Sequence, residues 1–181
     1  TLASWSLPYS FTIKSGEERE FHVKLDVPFN TPVTIGGAKV WLDTGLDIPA
    51  ATDPSDQDIL TVRPDPIMDG IFTALEEQGL RIRQVECEAV KGFELPFVQE
   101  FEFVPTAGPY HGRWRELEIV VYNRGDVIKL WAEVNRNRKG SQGMLASMLG
   151  LGLLKGELEI PIGISPLDAG KQMIDYLDET C

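Results

Sequence analysis

The sequence predicts a mainly β protein of the β-sandwich class, with two β units joined by an Asp-rich connector and only two helices. Three observations carry this. Runs of alternating apolar and polar residues recur along the chain, the period-2 signature of half-buried strands. Turn chemistry separates these runs at short intervals, as at Lys14-Ser15-Gly16-Glu17 and Asn123-Arg124-Gly125-Asp126. The stretch from Lys39 to Pro66, KVWLDTGLDIPAATDPSDQDILTVRPDP, reads as a strand, a connector, a second short strand and a double-proline stop.

In chain order, residues 5–13 are strand-like, with Pro8 marking an edge or a bulge. Phe21, Val23, Leu25 and Val27 alternate with polar residues and predict a second strand, ended by Pro28 to Pro32. Val40, Leu42, Leu46 and Ile48 predict a third. Pro49 to Asp58 is turn chemistry, and Ile59, Leu60 and Val62 make a short strand. Asp65 is placed as an N-cap and Pro66 as the first helical residue. Ile67, Met68, Ile71, Phe72 and Leu75 then recur at helical spacing until Gly79 stops the helix.

The β pattern resumes at Leu80 and slips near Gln84, which predicts a bulge. Phe97, Gln99, Phe101 and Phe103 share one face of the next strand. Leu117–Tyr122 and Val127–Val134 predict a hairpin in which Gly125 supplies the positive φ. Gly156–Gly163 is the last strand. Ser165, Pro166 and Asp168 open a closing helix with a capping-box pattern. Leu167, Met173, Ile174 and Leu177 form its apolar stripe.

The 181 residues suffice for one large domain or two small ones, and 43% hydrophobic content supports packed cores. A net charge of −11 argues against nucleic acid as a partner, because displacing phosphate counterions needs a basic face. It argues equally against plain electrostatic adhesion to an anionic membrane. Cys87 and Cys181 are too few for a disulfide framework and read as free thiols of a reducing, cytoplasmic protein. No leader pattern and no apolar run of membrane-spanning length is present in the sequence. Trp5 to Phe11 already reads as a strand in need of partners, so the reading expects an amino-terminal portion to be missing before Thr1.

Several segments together carry a resemblance. FTIKSGEEREFHVKLDVPFNTPVT, the Lys39–Pro66 stretch, FTALEEQGLRIRQVECE, LPFVQEFEFVP and RELEIVV span most of residues 9–134. In this order they resemble the bacterial sporulation-control family of the stage-zero sporulation protein M type, whose members are arrestin-like. The resemblance implies tandem arrestin-like β-sandwich domains, a cytoplasmic location and no known catalysis. Placed on this chain, it implies the remaining part of an incomplete amino-terminal sandwich at 1–49 and a connector at 50–66. A carboxy-terminal sandwich follows at 67–164 and a helix at 165–181. It further implies a non-catalytic regulator or scaffold working through protein–protein contact.

No residue is assigned as catalytic, as a metal ligand or as cofactor-binding, and no cofactor is expected. Asp43, Asp47, Asp53, Asp56, Asp58 and Asp65 are numerous enough to raise Ca²⁺. Their spacing lacks the glycine and bidentate glutamate of a calcium loop, and turns and caps explain them better. Glu100 and Glu102 lie on one strand face and read as a solvated surface rather than an acid–base pair. His22 and His111 stand apart from any partner for a zinc site or a triad. The candidate contact residues for a protein partner or a membrane are Arg136, Arg138, Lys139, Met144, Leu145, Met148 and Leu149. There a basic run meets an apolar helical stripe. Hence the alternative function of a peripheral membrane or metal-dependent adaptor, using the 144–154 tip or the Asp-rich connector. The expected partner is an unidentified protein, with a homodimer or strand exchange if the amino-terminal sandwich lacks strands.

Overall fold

In a computed structural model of the chain, described over residues 1–93, 95–135 and 156–180, the carboxy-terminal part is organised by a five-stranded antiparallel meander. Its strands are β3 (Leu80–Ala89), β4 (Phe97–Pro105), β5 (Glu116–Asn123), β6 (Val127–Asn135) and β7 (Glu157–Pro161), adjacent in that order. The predicted slip is a register shift between Ile82 and Gln84, where β3 pairs with β4. The predicted hairpin joins β5 to β6, and Gly125 sits at φ 97°, a left-handed conformation that side-chain-bearing residues resist.

One face of this sheet is apolar because alternate residues point to it. Phe101, Phe103, Leu117, Ile119, Leu130 and Ile160 are all fully buried. Two helices cover them, α1 (Pro66–Glu77) and α2 (Pro166–Thr180). The Asp65 carboxylate accepts from the backbone N–H of Ile67 at 2.9 Å and of Met68 at 3.1 Å, satisfying two of the helix's orphan donors. The apolar positions predicted for α1 are the ones it buries. Phe72 packs between Phe101 and Phe103, with ring centroids 4.9 and 5.5 Å away.

At the start of α2, Ser165 Oγ accepts from the Asp168 N–H at 3.1 Å and donates to the Asp168 carboxylate at 2.7 Å. Met173 and Leu177 of the predicted stripe are fully buried, but Leu167 is 81% exposed. Ala169 takes the inward place instead, because the two helices meet at glycines. A Cβ on Gly70 would lie 2.1 Å from the Pro166 carbonyl oxygen, and one on Gly170 would lie 2.7 Å from the Gly70 oxygen. The crossing is too close for any larger residue at either point.

The first 60 residues differ from the expectation. No strand forms over 5–13 or 21–27. The side-chain alternation is there, but among the described residues the backbone finds no neighbouring strand to pair with. The only sheet in this part is a two-stranded hairpin of β1 (Val40–Gly45) and β2 (Ser55–Leu60). β2 therefore begins inside the stretch read as turn, and the predicted connector supplies one arm of the hairpin. Leu46 and Ile48, read as strand, lie in its loop.

Candidate interaction surface

A strap of backbone, residues 30–36, ties the amino-terminal part to the sheet. The Gln99 side chain bonds both ways with one residue of it. Its Oε1 accepts from the Val33 N–H at 2.8 Å, and its Nε2 donates to the Val33 carbonyl at 2.9 Å. Asn30 does the reverse, donating to the Asn123 carbonyl at 2.9 Å and accepting from the Asn123 N–H at 2.8 Å. In each case a side-chain amide imitates a strand neighbour and satisfies one residue's backbone N–H and C=O. Thr34 completes the attachment, bonding the Val62 carbonyl and N–H at 3.0 and 2.9 Å. Val33 enters the core. A crevice of about 190 Å³ remains beside the strap, lined by Phe29, Thr31, Met68, Phe97 and Tyr122 among others. The Thr31 hydroxyl is buried there without a hydrogen-bond partner among the described residues.

These amides were missed in the sequence. The available signal was Gln99 itself, a polar residue on the face that otherwise carries Phe97, Phe101 and Phe103. A buried glutamine on an apolar face needs a backbone to bond.

Beyond the strap the hairpin stands in solvent. Every residue from Trp41 to Leu60 is exposed. Among the described residues, every exposed large hydrophobic side chain except Leu167 lies at or before Leu60. Three aspartates of this region, Asp43, Asp53 and Asp65, do structural work. Asp43 accepts from the Trp41 indole at 3.0 Å and from Gln57 Nε2 at 2.9 Å. Asp53 closes the hairpin loop by accepting from the Ile48 N–H at 2.9 Å. Asp65 caps α1. Among the described residues, no group of three or more His, Cys, Asp or Glu is placed to hold a metal ion.

The outer face of the five-stranded sheet corrects a second expectation. Glu100 and Glu102 are not a solvated surface. Both are half-buried, while Glu116 and Glu118 on the next strand are buried. Arg83 bridges Glu102 and Glu116, with 2.8 Å to the latter, and Arg115 adds a contact to Glu116 at 3.3 Å. Burial first, and then the charges of Glu118, Glu88, Glu86 and Glu133, push the Glu100 carboxyl up to about 7. Four adjacent strands crowd these acids together, and a single-strand reading of exposure misses that. Farther along the same face Phe93 packs edge-on against Tyr122 and Trp131, at 4.8 and 5.8 Å.

His22 is exposed, and His111 Nδ1 lies 2.9 Å from the Pro105 carbonyl. Cys87 is a free thiol, shifted upward by partial burial and by Glu88, which leaves little thiolate at neutral pH. Arg136, Arg138, Lys139, Met144, Leu145, Met148 and Leu149 lie outside the described residues, as does Cys181. Among the described residues no helix is long and apolar enough to cross a membrane.

Comparison with known proteins places this architecture. The family described as "SpoOM protein" matches residues 1–138. The sporulation-control protein spo0M of Bacillus subtilis (strain 168) is 35% identical over 181 residues, covering 99% of this chain and 69% of that protein. The crystal structure of Spo0M, sporulation control protein, from Bacillus subtilis matches with a TM-score of 0.72 and 32% identity. That match covers 86% of this chain and 63% of the solved one, so the chain spans less than two-thirds of the solved protein. The mainly β, arrestin-like class expected from the sequence is the fold this match supports. The chain belongs to the SpoOM protein family.

Proposed function

We propose that this chain is a non-catalytic regulatory or scaffold protein of sporulation control, acting through protein–protein contact made by its first 60 residues. The observation that carries this reading is the concentration of exposed apolar side chains, from Trp5 to Leu60, on strand-patterned backbone with few sheet partners among the described residues. Soluble chains seldom leave contiguous apolar surface open unless something covers it. Unpaired strand edges beside that surface offer main-chain hydrogen bonds to an incoming strand. The regulatory role is taken from the sporulation-control relative.

Expression in Bacillus subtilis lacking its sporulation-control relative tests the reading, with heat-resistant spores as the count. The parent chain is expected to shift spore yield, and a Trp41→Asp/Ile59→Asp variant is expected to lose the effect while melting at the same temperature. A folded variant that acts like the parent would sink the proposal.

A further inference from the structure

The strap sits in a site built by the rest of the chain, and the bonds that hold it depend little on its own sequence. Gln99, itself buried, grips the N–H and C=O of Val33 and would grip those of any residue there except proline. Asn123 offers its N–H and C=O to an amide side chain, a place that Asn30 takes. Side-chain choice enters at two further points. Val33 is buried in the main core. Gly36, at φ 61°, lies so close to β3 that a Cβ would come within 2.7 Å of Val85 Cγ2. One position fits badly. The Thr31 hydroxyl is shut off from water and has no hydrogen-bond partner among the described residues, so the strap bears the desolvation cost of that group. A methyl group in its place has the same shape and no such cost. The strap is a ligand held in its own site with one flaw.

We propose that the site under the strap docks a segment of another protein with the strap's own pattern, and that docking displaces the strap. The pattern is an Asn, a Val three residues on and a Gly three residues beyond that, with Val where this chain has Thr31. Such a segment keeps the bonds to Gln99 and Asn123, fills the place of Val33 and removes the unsatisfied hydroxyl. Competition decides the class of occupant. The resident strap is tethered, which gives it a high effective concentration at the site. A second copy of this chain would bring the same Thr31 and no tether, so it gains nothing over the strap. A foreign segment with Val there has a binding advantage to set against the tether. Displacement frees residues 30–36 from the sheet and leaves the helices and β3–β7 packed as before. The site lies beneath the strap and uses none of the exposed apolar side chains, so it goes beyond the contact reading above and is tested apart from it.

The test uses the whole chain and two synthetic peptides, the strap sequence PFNTPVTIG and its relative PFNVPVTIG, read by amide hydrogen exchange along the protein. The Val peptide is expected to speed exchange at the Val33 and Thr34 N–H groups while the Asn123 N–H stays slow, because the peptide's Asn takes over from Asn30. It should act at a concentration about tenfold below that of the Thr peptide. A Thr31→Val chain is expected to need about tenfold more of either peptide, since its resident strap no longer carries the flaw. Unchanged exchange in β3–β7 shows that this variant folds. No acceleration at Val33 and Thr34 with the Val peptide overturns the proposal, and so does equal potency of the two peptides. A Thr31→Val chain displaced as easily as the parent overturns it as well. Faster exchange at Val33, Thr34 and Asn123 together would mean unfolding rather than replacement, and would overturn it. Exchange at Val33 that changes with the concentration of the chain alone would make a second copy the occupant and overturn it too. The contact reading above is decided by the spore count and stands whichever way these results fall.

Discussion

Phe101 and Ile59 are both apolar residues on β-strands, yet Phe101 is fully buried and Ile59 is 77% exposed. The contrast runs through the whole molecule. From Val62 onward, apolar positions on the inner sheet face meet two helices and form the main core, and a smaller cluster forms on the outer face. Before Val62 a short strap reaches that core; Val40 is buried and Phe11 packs on Phe21, but most other large apolar side chains there are exposed. Amphipathic pattern is therefore necessary for burial but does not cause it. A strand buries its face only when a second layer of suitable length and register is present.

The sharpest way to break this contrast is to cut into the buried side. Phe101→Ala removes a ring packed against Phe72 and is expected to lower unfolding free energy by about 3–5 kcal/mol. Urea denaturation measures it. A loss below about 1 kcal/mol would mean the core is not continuous. Next comes the joint between the regions. Gln99→Leu leaves the buried N–H and C=O of Val33 unsatisfied and is expected to cost about 2 kcal/mol. It should also speed amide exchange at residues 30–36 ahead of the sheet.

The acidic sheet face sharpens the comparison through pH. A raised Glu100 pKa means that the folded state holds a proton that the unfolded state has released. That contribution to stability is full below about 4.5 and is lost as pH rises toward 7. Glu100→Gln is therefore expected to stabilise the protein at pH 8, by about 1 kcal/mol after allowing for the solvent access of this half-buried group. The gain should shrink toward zero near pH 4.5. Melting curves at the two pH values decide it, and a gain independent of pH would refute the charge-crowding account. The smallest effect belongs to the hairpin. Ile59→Ser is expected to change stability by less than about 0.5 kcal/mol, because the side chain has nothing to lose.

Much of the carboxy-terminal part was legible from local signals. Asp65-Pro66, Ser165-Pro166 with Asp168, the slip at Gln84 and the turn at Gly125 each state a backbone conformation in one or two residues. Harder to read were features set by partners distant in sequence. Gln99 finds Val33 across 66 positions, and Asn30 finds Asn123 across 93. The crowding around Glu100 needs four strands brought side by side. Leu167 has the right spacing for burial, but the glycine crossing turns it outward. Residues 5–13 and 21–27 show the limit most clearly, since their alternation is correct and their ladder is absent. Of the candidate site, the Asp-rich hairpin was visible as composition. Its pairing as a two-stranded hairpin was not, because strand pairing is a property of neighbours.

The strap has a mechanical consequence. Tension along the amino-terminal region reaches the sheet through a few residues, bonded to Gln99, Asn123 and Val62 and loaded one after another. Bonds arranged in that way part in sequence, like a peeled seam, while neighbouring sheet strands share a load in parallel. A pull from a bound partner would therefore free residues 30–36 while β3 to β7 remain intact, and the molecule would lengthen by a defined step without losing its core.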